Sequence, residues 1–145
     1  ANELATAADI SEAALEQAVI DLMSFTNDRG LNIAVMPQAL IVPVELWAEA
    51  EKILKTTQEV GTANNTVNVV RGKFTKGLKI NHYLTDTDAW FIRTNVRDGM
   101  KYFVRRADTF DMDDDFDTDN AKYKATFRCA FGWSDPRGIF GSPGA

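Results

Sequence analysis

The sequence has 145 residues, 45% hydrophobic and 26% charged, with a formal net charge of −5 and a single cysteine. That is one domain's length, and no run approaches the ~18 consecutive apolar residues of a membrane helix. One thiol, Cys129, excludes an internal disulfide and a cysteine-based metal cluster, and the acidic balance argues against a dedicated nucleic-acid reader, which would carry a basic face.

Residues 1–8 show neither a basic segment nor an apolar signal core. Residues 9–27 are predicted to form a helix, with Asp9 and Glu12 at capping-box spacing. Leu15, Val19, Leu22 and Thr26 form its apolar stripe, and Ile20, Met23 and Phe25 widen it. Asp28-Arg29-Gly30 is expected to stop it, Gly30 being free to take a positive φ. Leu31–Met36 reads as a strand ended by Pro37, and a second helix is expected from near Pro43, burying Leu46, Ala50, Ile53 and Leu54. The aperiodic stretch 56–66 reads as an exposed loop.

From Val67 the pattern changes to short strands, expected over 67–70, 78–84, 89–93 and 101–105. The clearest signal is the last strand, 122–133. There Tyr123, Ala125, Phe127, Cys129, Phe131 and Trp133 alternate with Lys122, Lys124, Thr126, Arg128 and Ala130, which places the first set on one face. Such a strand needs a second layer to cover it, so the fold class is α+β. Core packing is expected for Trp90 and Trp133, while Trp47 is equally suited to a core or a contact surface.

Seven aspartates, Asp108, Asp111, Asp113, Asp114, Asp115, Asp117 and Asp119, lie within twelve residues. Asp111, Asp113 and Asp115 open like a calcium loop, but Phe116 replaces the required glycine and Lys122 the bidentate glutamate. A solvated acidic loop, or a surface facing a basic neighbour, is the better reading, with no metal and no cofactor expected. His82 is the only histidine, so no two-histidine metal site can form within one chain, and a Cys129–His82 nucleophile pair is conceivable by residue type. Cys129 is expected to be an inert buried thiol, so no enzyme is expected. The phosphate-cradling glycine motifs are missing. Arg93, Arg97, Lys101, Arg105 and Arg106 form a basic segment just before the aspartates. Separate patches of both signs suit identical subunits that pack heterologously.

Several landmarks in order resemble the C-terminal part of tailed-bacteriophage major capsid proteins, closest to the Mu-type major head subunit. They are Asp28-Arg29-Gly30; the stretch from Pro37 through Leu40, Val42-Pro43, Leu46 and Ala50; Asp88-Ala-Trp90-Phe91-Ile92; Lys124-Ala-Thr-Phe-Arg128; and Phe131-Gly-Trp-Ser-Asp-Pro-Arg137-Gly-Ile-Phe140. The resemblance implies the Hong Kong 97 fold. Residues 1–121 would be mostly axial domain, and 122–145 a long strand and tail of the peripheral domain. The family's N-terminal arm, extended loop and spine helix are not found, so a processed or truncated piece is expected.

The implied function is structural. Identical subunits would form hexamers and pentamers that close into an icosahedral virion shell, assembled in the bacterial cytoplasm around double-stranded DNA bound only non-specifically. Portal, scaffold or decoration proteins would be further partners, and no membrane is expected. Inter-subunit contacts are expected from Arg97, Arg105, Arg106, Asp113, Asp114, Asp115, Asp117 and Trp47, and Arg137 is expected to anchor its own turn. The alternatives are an encapsulin-like shell and a calcium-binding module built on the aspartate run.

Overall fold

The computed structural model describes residues 2–58 and 66–145. Helix α1 spans Glu12–Met23. Ser11, not Asp9, caps it: Ser11 is extended (φ −151°, ψ 164°) and its Oγ accepts the Ala14 N–H at 3.1 Å, satisfying an orphan donor of the first turn. Ala14, Leu15, Ala18, Val19 and Leu22 are buried, but Ile20 and Met23 face solvent. The helix ends at Met23, before the Asp28-Arg29-Gly30 turn, where Gly30 does adopt a positive φ of 78°.

Strand β1 is Pro37–Val42, one segment later than the 31–36 expected. Pro37 opens the strand, where its missing N–H costs no ladder bond. β1 lies between two other strands, which explains the consecutive apolar residues Leu40, Ile41 and Val42. Pro43 closes β1, and helix α2, Trp47–Lys55, begins four residues after it, burying Ala50 and Ile53. The loop expected over 56–66 falls largely outside the described residues. The strand expected over 67–70 reduces to one bridge, Gln58 to Val67. The buried Asn68 organises that segment: its Nδ2 donates to the Ile53 carbonyl at 2.6 Å, and its Oδ1 accepts the Val70 N–H at 2.9 Å.

Strands β2 (Leu78–Ile80), β3 (Trp90–Thr94) and β6 (Ile139–Ser142) complete a mixed sheet in the order β2-β1-β3-β6. β1 pairs with β2 in parallel, and the other two pairings are antiparallel. Leu15, Leu22, Leu40, Val42, Trp90, Ile92 and Phe140 form the centre of the core. The N-terminal segment lies along the outer side of β6: the Gly141 N–H donates to the Asn2 carbonyl, and the Leu4 N–H to the Gly141 carbonyl, each at 3.2 Å. The Trp90 indole N–H (3.0 Å) and the Ser142 hydroxyl (2.9 Å) both donate to the Ala8 carbonyl, fastening the segment.

Two glycines are needed where backbones cross. A Cβ on Gly138 would stand 2.5 Å from the Gly99 Cα, and backbone cannot give way as a side chain can. Gly138→Ala is therefore expected to cost about 1–3 kcal/mol, the usual range for overpacking. A thermal melt of the variant within 1 °C of the parent would contradict that crossing.

Residues up to Gly99 together with Asp135–Ala145 form one compact unit, and Met100–Ser134 form another. The second unit is a two-stranded antiparallel ribbon of β4, Lys101–Asp115, and β5, Asn120–Gly132. The 121/122 boundary expected between axial and peripheral parts falls inside this ribbon. The architecture is α+β, with two α-helices and separate sheets among the described residues.

Candidate assembly surface

The aspartate run is a strand, not a loop. Asp108, Asp111, Asp113, Asp114 and Asp115 lie in β4, and only Asp117 and Asp119 lie in the turn. β4 alternates Phe110 and Met112 with Asp111 and Asp113, so Asp111, Asp113 and Asp115 lie on one face of a ribbon, while Asp114 falls on the face of Phe110 and Met112.

Cross-strand register assigns the faces, because residues directly opposite in an antiparallel pair point the same way. One face carries Tyr102, Val104, Phe110 and Met112 of β4, opposite Phe131, Cys129, Ala125 and Tyr123 of β5, with Phe127 between. Tyr102 and Phe131 meet at 5.2 Å between ring centroids, and Phe110 stacks on Tyr123 at 5.9 Å. The other face carries Arg106 opposite Arg128, Thr109 opposite Thr126, Asp111 opposite Lys124, Asp113 opposite Lys122, and Asp115 opposite Asn120. The two threonine hydroxyls share a hydrogen bond of 2.7 Å.

The alternation read in 122–133 is thus present, but among the described residues no layer buries that face. Tyr102, Val104, Phe110, Met112, Tyr123, Phe127 and Phe131 are all exposed. Trp133, expected in the core, is 76% exposed, whereas Trp90 is fully buried as expected; Trp47 is half-exposed. Cys129 is half-buried and not an inert core thiol. It lies on the apolar face beside Tyr102, whose phenol it pushes above its ordinary pKa, chiefly through their side-chain hydrogen bond. His82 belongs to the compact unit and Cys129 to the ribbon.

Charge is divided along the ribbon. Lys101, Arg105, Arg106 and Arg128 lie towards the open end, and the aspartates crowd the turn end with Lys122 and Lys124. Arg106 opposite Arg128 is a like-charge pair, unfavourable in an isolated ribbon. Arg97 is exposed in the compact unit, just after β3. Of the seven aspartates, Asp115 is the one held in an ion pair among the described residues, to Lys122 at 2.6 Å. Phe116 stands fully exposed in the turn, and Asp119 takes the positive φ of 55° that aspartate tolerates better than most residues.

Asp111, Asp113 and Asp115 follow one another at two-residue steps along an extended strand, roughly 7 Å apart. They cannot converge on one cation as a calcium loop's carboxylates do. Among the described residues no three Asp, Glu, His or Cys side chains are placed to hold a metal.

The Lys122 ammonium, then the Thr118 hydroxyl at 3.0 Å, hold the Asp115 carboxyl below its ordinary pKa. A carboxyl whose pKa is depressed by folding stabilises above its unfolded pKa, and that contribution is lost as pH falls through the folded one. Asp115→Asn is thus expected to speed amide exchange at Thr118 and Asp119 near neutrality and to match the parent well below the carboxylate range. A difference that persists in strong acid would contradict the assignment.

Arg137 anchors its turn as expected, beside Asp135 (3.6 Å), whose Oδ1 also accepts the Arg137 N–H at 2.9 Å. Its guanidinium also reaches Asp28 at 2.8 Å, a contact that sequence spacing did not reveal.

The ribbon is amphipathic, and its aromatic face is exposed among the described residues. A sequence model of the family described as Phage capsid protein matches residues 1–141. The chain belongs to the phage capsid protein family. This is a structural family, not an enzymatic one. No curated protein sequence matches the chain. Among solved structures, this capsid-family chain is similar to the crystal structure of a virus-like particle from Pyrococcus furiosus, at 16% identity and a TM-score of 0.51. The alignment covers 97% of this chain and 55% of the particle subunit. The capsid-family chain therefore shares part of that structure's fold and spans about half of that chain's length.

Proposed function

We propose that this chain is part of a major capsid subunit, of the Mu-type branch, whose copies form hexamers and pentamers of an icosahedral shell around double-stranded DNA in the bacterial cytoplasm. The observation that carries this reading is the ribbon's exposed aromatic face. Two strands alone are marginal in water, and contiguous apolar surface of this kind marks an interaction site. The compact unit serves as the axial domain and the ribbon extends into the peripheral domain. Portal, scaffold or decoration proteins complete the head.

The charged ends of the ribbon supply the complementarity. Arg105 or Arg106, or Arg97 of the compact unit, meets Asp113, Asp114, Asp115 or Asp117 of a neighbour. An incoming carboxylate relieves the Arg106–Arg128 repulsion. Trp47 is a candidate aromatic anchor. Each surface ion pair contributes only about 0–1 kcal/mol, so the effect comes from repetition through the shell.

The test is electron microscopy of the complete subunit carrying Asp113→Lys, Asp114→Lys and Asp115→Lys. The parent is expected to give uniform icosahedral particles and the variant few or none. Particles unchanged in number and shape would refute the charge contact. A parent that forms no particles would refute the shell function itself. Similarity to a virus-like particle also supports an encapsulin-like shell, and the contents separate the two: nucleic acid for a phage head, protein for an encapsulin.

A further inference from the structure

The sheet of the compact unit has two edges of opposite charge. β2 is one outer strand, and Arg71, Lys73, Lys76 and Lys79, all exposed, lie on it or on the turn leading into it. The Lys76 N–H already bonds the Gln38 carbonyl of β1 at 2.6 Å. None of these four cations has an ion-pair partner among the described residues. Nearby acids among the described residues include Glu51, bridged to Lys55, and Glu16, which shares a cleft with Lys73.

The opposite edge is acidic. Outside β6 lies the N-terminal segment with Glu3 exposed on it, and Glu3 and Asp86 line one open cleft of about 390 Å³ with Tyr83, which is 93% exposed. Asp9 and Asp88 adjoin the last residues: Asp9 accepts the Ala145 N–H at 3.0 Å, and a Cβ on Gly144 would strike the Asp88 carboxyl at 2.6 Å. Asp86 and Asp88 lie side by side, and the Asp86 carboxyl pushes that of Asp88 above its ordinary pKa. Arg137, whose turn borders the segment through Asn2, is already engaged by Asp28 and Asp135.

We propose that these edges are the two halves of one contact between copies of this chain: the basic β2 edge of one subunit docks on the acidic Glu3–Asp86–Asp88 edge of the next. A two-fold contact through either edge would set like charges against each other, so the pairing is heterologous and, repeated about an axis, closes a ring. The exposed Tyr83 stands where an aromatic anchor would be buried in that contact. The proposal rests on the shell function and names the surfaces that join neighbouring compact units within a capsomer.

Charge exchange in the complete subunit tests it. Reversing Arg71, Lys73, Lys76 and Lys79 to glutamate is expected to move most subunits from the particle fraction to slowly sedimenting species. Glu3→Lys with Asp86→Lys and Asp88→Lys is expected to do the same, and Glu3→Lys alone, at an exposed position, to do so in part. Combining the basic-edge and acidic-edge reversals is expected to restore particles, a rescue that misfolded single-edge variants would not show; circular dichroism checks that each single-edge variant is folded. Full assembly of either single-edge variant, or no recovery in the combination, would overturn the pairing. Basic-edge variants that assemble normally but lose co-purifying nucleic acid would overturn it in favour of a polyanion surface. A parent that does not assemble overturns the shell function, and the pairing with it.

Discussion

Trp90→Ala is expected to lower the stability of the compact unit by about 3–5 kcal/mol, the range for truncating a fully buried large aromatic residue. Trp90 is completely buried in β3, and its indole N–H donates to the Ala8 carbonyl, so one side chain joins the middle of the sheet to the N-terminal segment. Trp90→Phe is expected to be much milder. It keeps most of the apolar volume, and the Ala8 carbonyl keeps the Ser142 hydroxyl as a donor, so no acceptor is orphaned. Chemical denaturation of the two variants checks this. An alanine variant as stable as the phenylalanine variant would contradict the packing role.

The second large effect belongs to the ribbon. Replacing Phe110, Phe127 and Phe131 together by serine is expected to abolish particles of the complete subunit while leaving the melting of the compact unit unchanged. All three are exposed in the isolated chain, so folding of the compact unit does not depend on burying them. A shell that covers this face gains about 1.5–3 kcal/mol for each large apolar side chain it buries. The same substitutions should make the 145-residue chain more soluble, because a ribbon of thirteen- and fifteen-residue strands with a bare aromatic face invites association. Wild-type yields of particles from the triple variant would contradict the role of this face. So would rapid reaction of Cys129 with iodoacetamide in assembled particles, since Cys129 lies on the face that a shell would cover.

The strands were legible wherever one face differed from the other. Period-two alternation over 122–133 placed β5 closely, and the Trp90-centred strand fell within a residue of its expected limits. β1 was misplaced because a central strand is apolar on both faces and gives no alternation; Leu40-Ile41-Val42 instead read as an approach to a helix. β4 runs ten residues past the expected end at Arg105, because the Phe110–Met112 alternation continues the strand through the aspartates. The N-cap fell on Ser11 and not Asp9 because serine in extended backbone reaches the Ala14 N–H directly.

The candidate surface was legible as charge and not as burial. Sequence gave both signs in separate patches, but whether the Phe127 face was core or surface depends on what lies against it. That is a tertiary fact to which pattern is blind. The opposition of Arg106 and Arg128 depends on register, which is fixed by pairing and the irregularities between Val104 and Thr109. The opposite charges of the sheet edges depend on strand order: Lys79 and Glu3 are far apart in sequence and mark two edges only because β1, β3 and β6 lie between them.

The most direct measurement is the mass distribution of the complete, purified subunit by light scattering and sedimentation, with electron microscopy of the fast fraction. Closed particles of many identical copies, lost when the ribbon's aromatic face is made polar, are the predicted result. A subunit that remains a monomer at high concentration, with or without the other head components, would contradict the claim that this chain works by packing against its own copies.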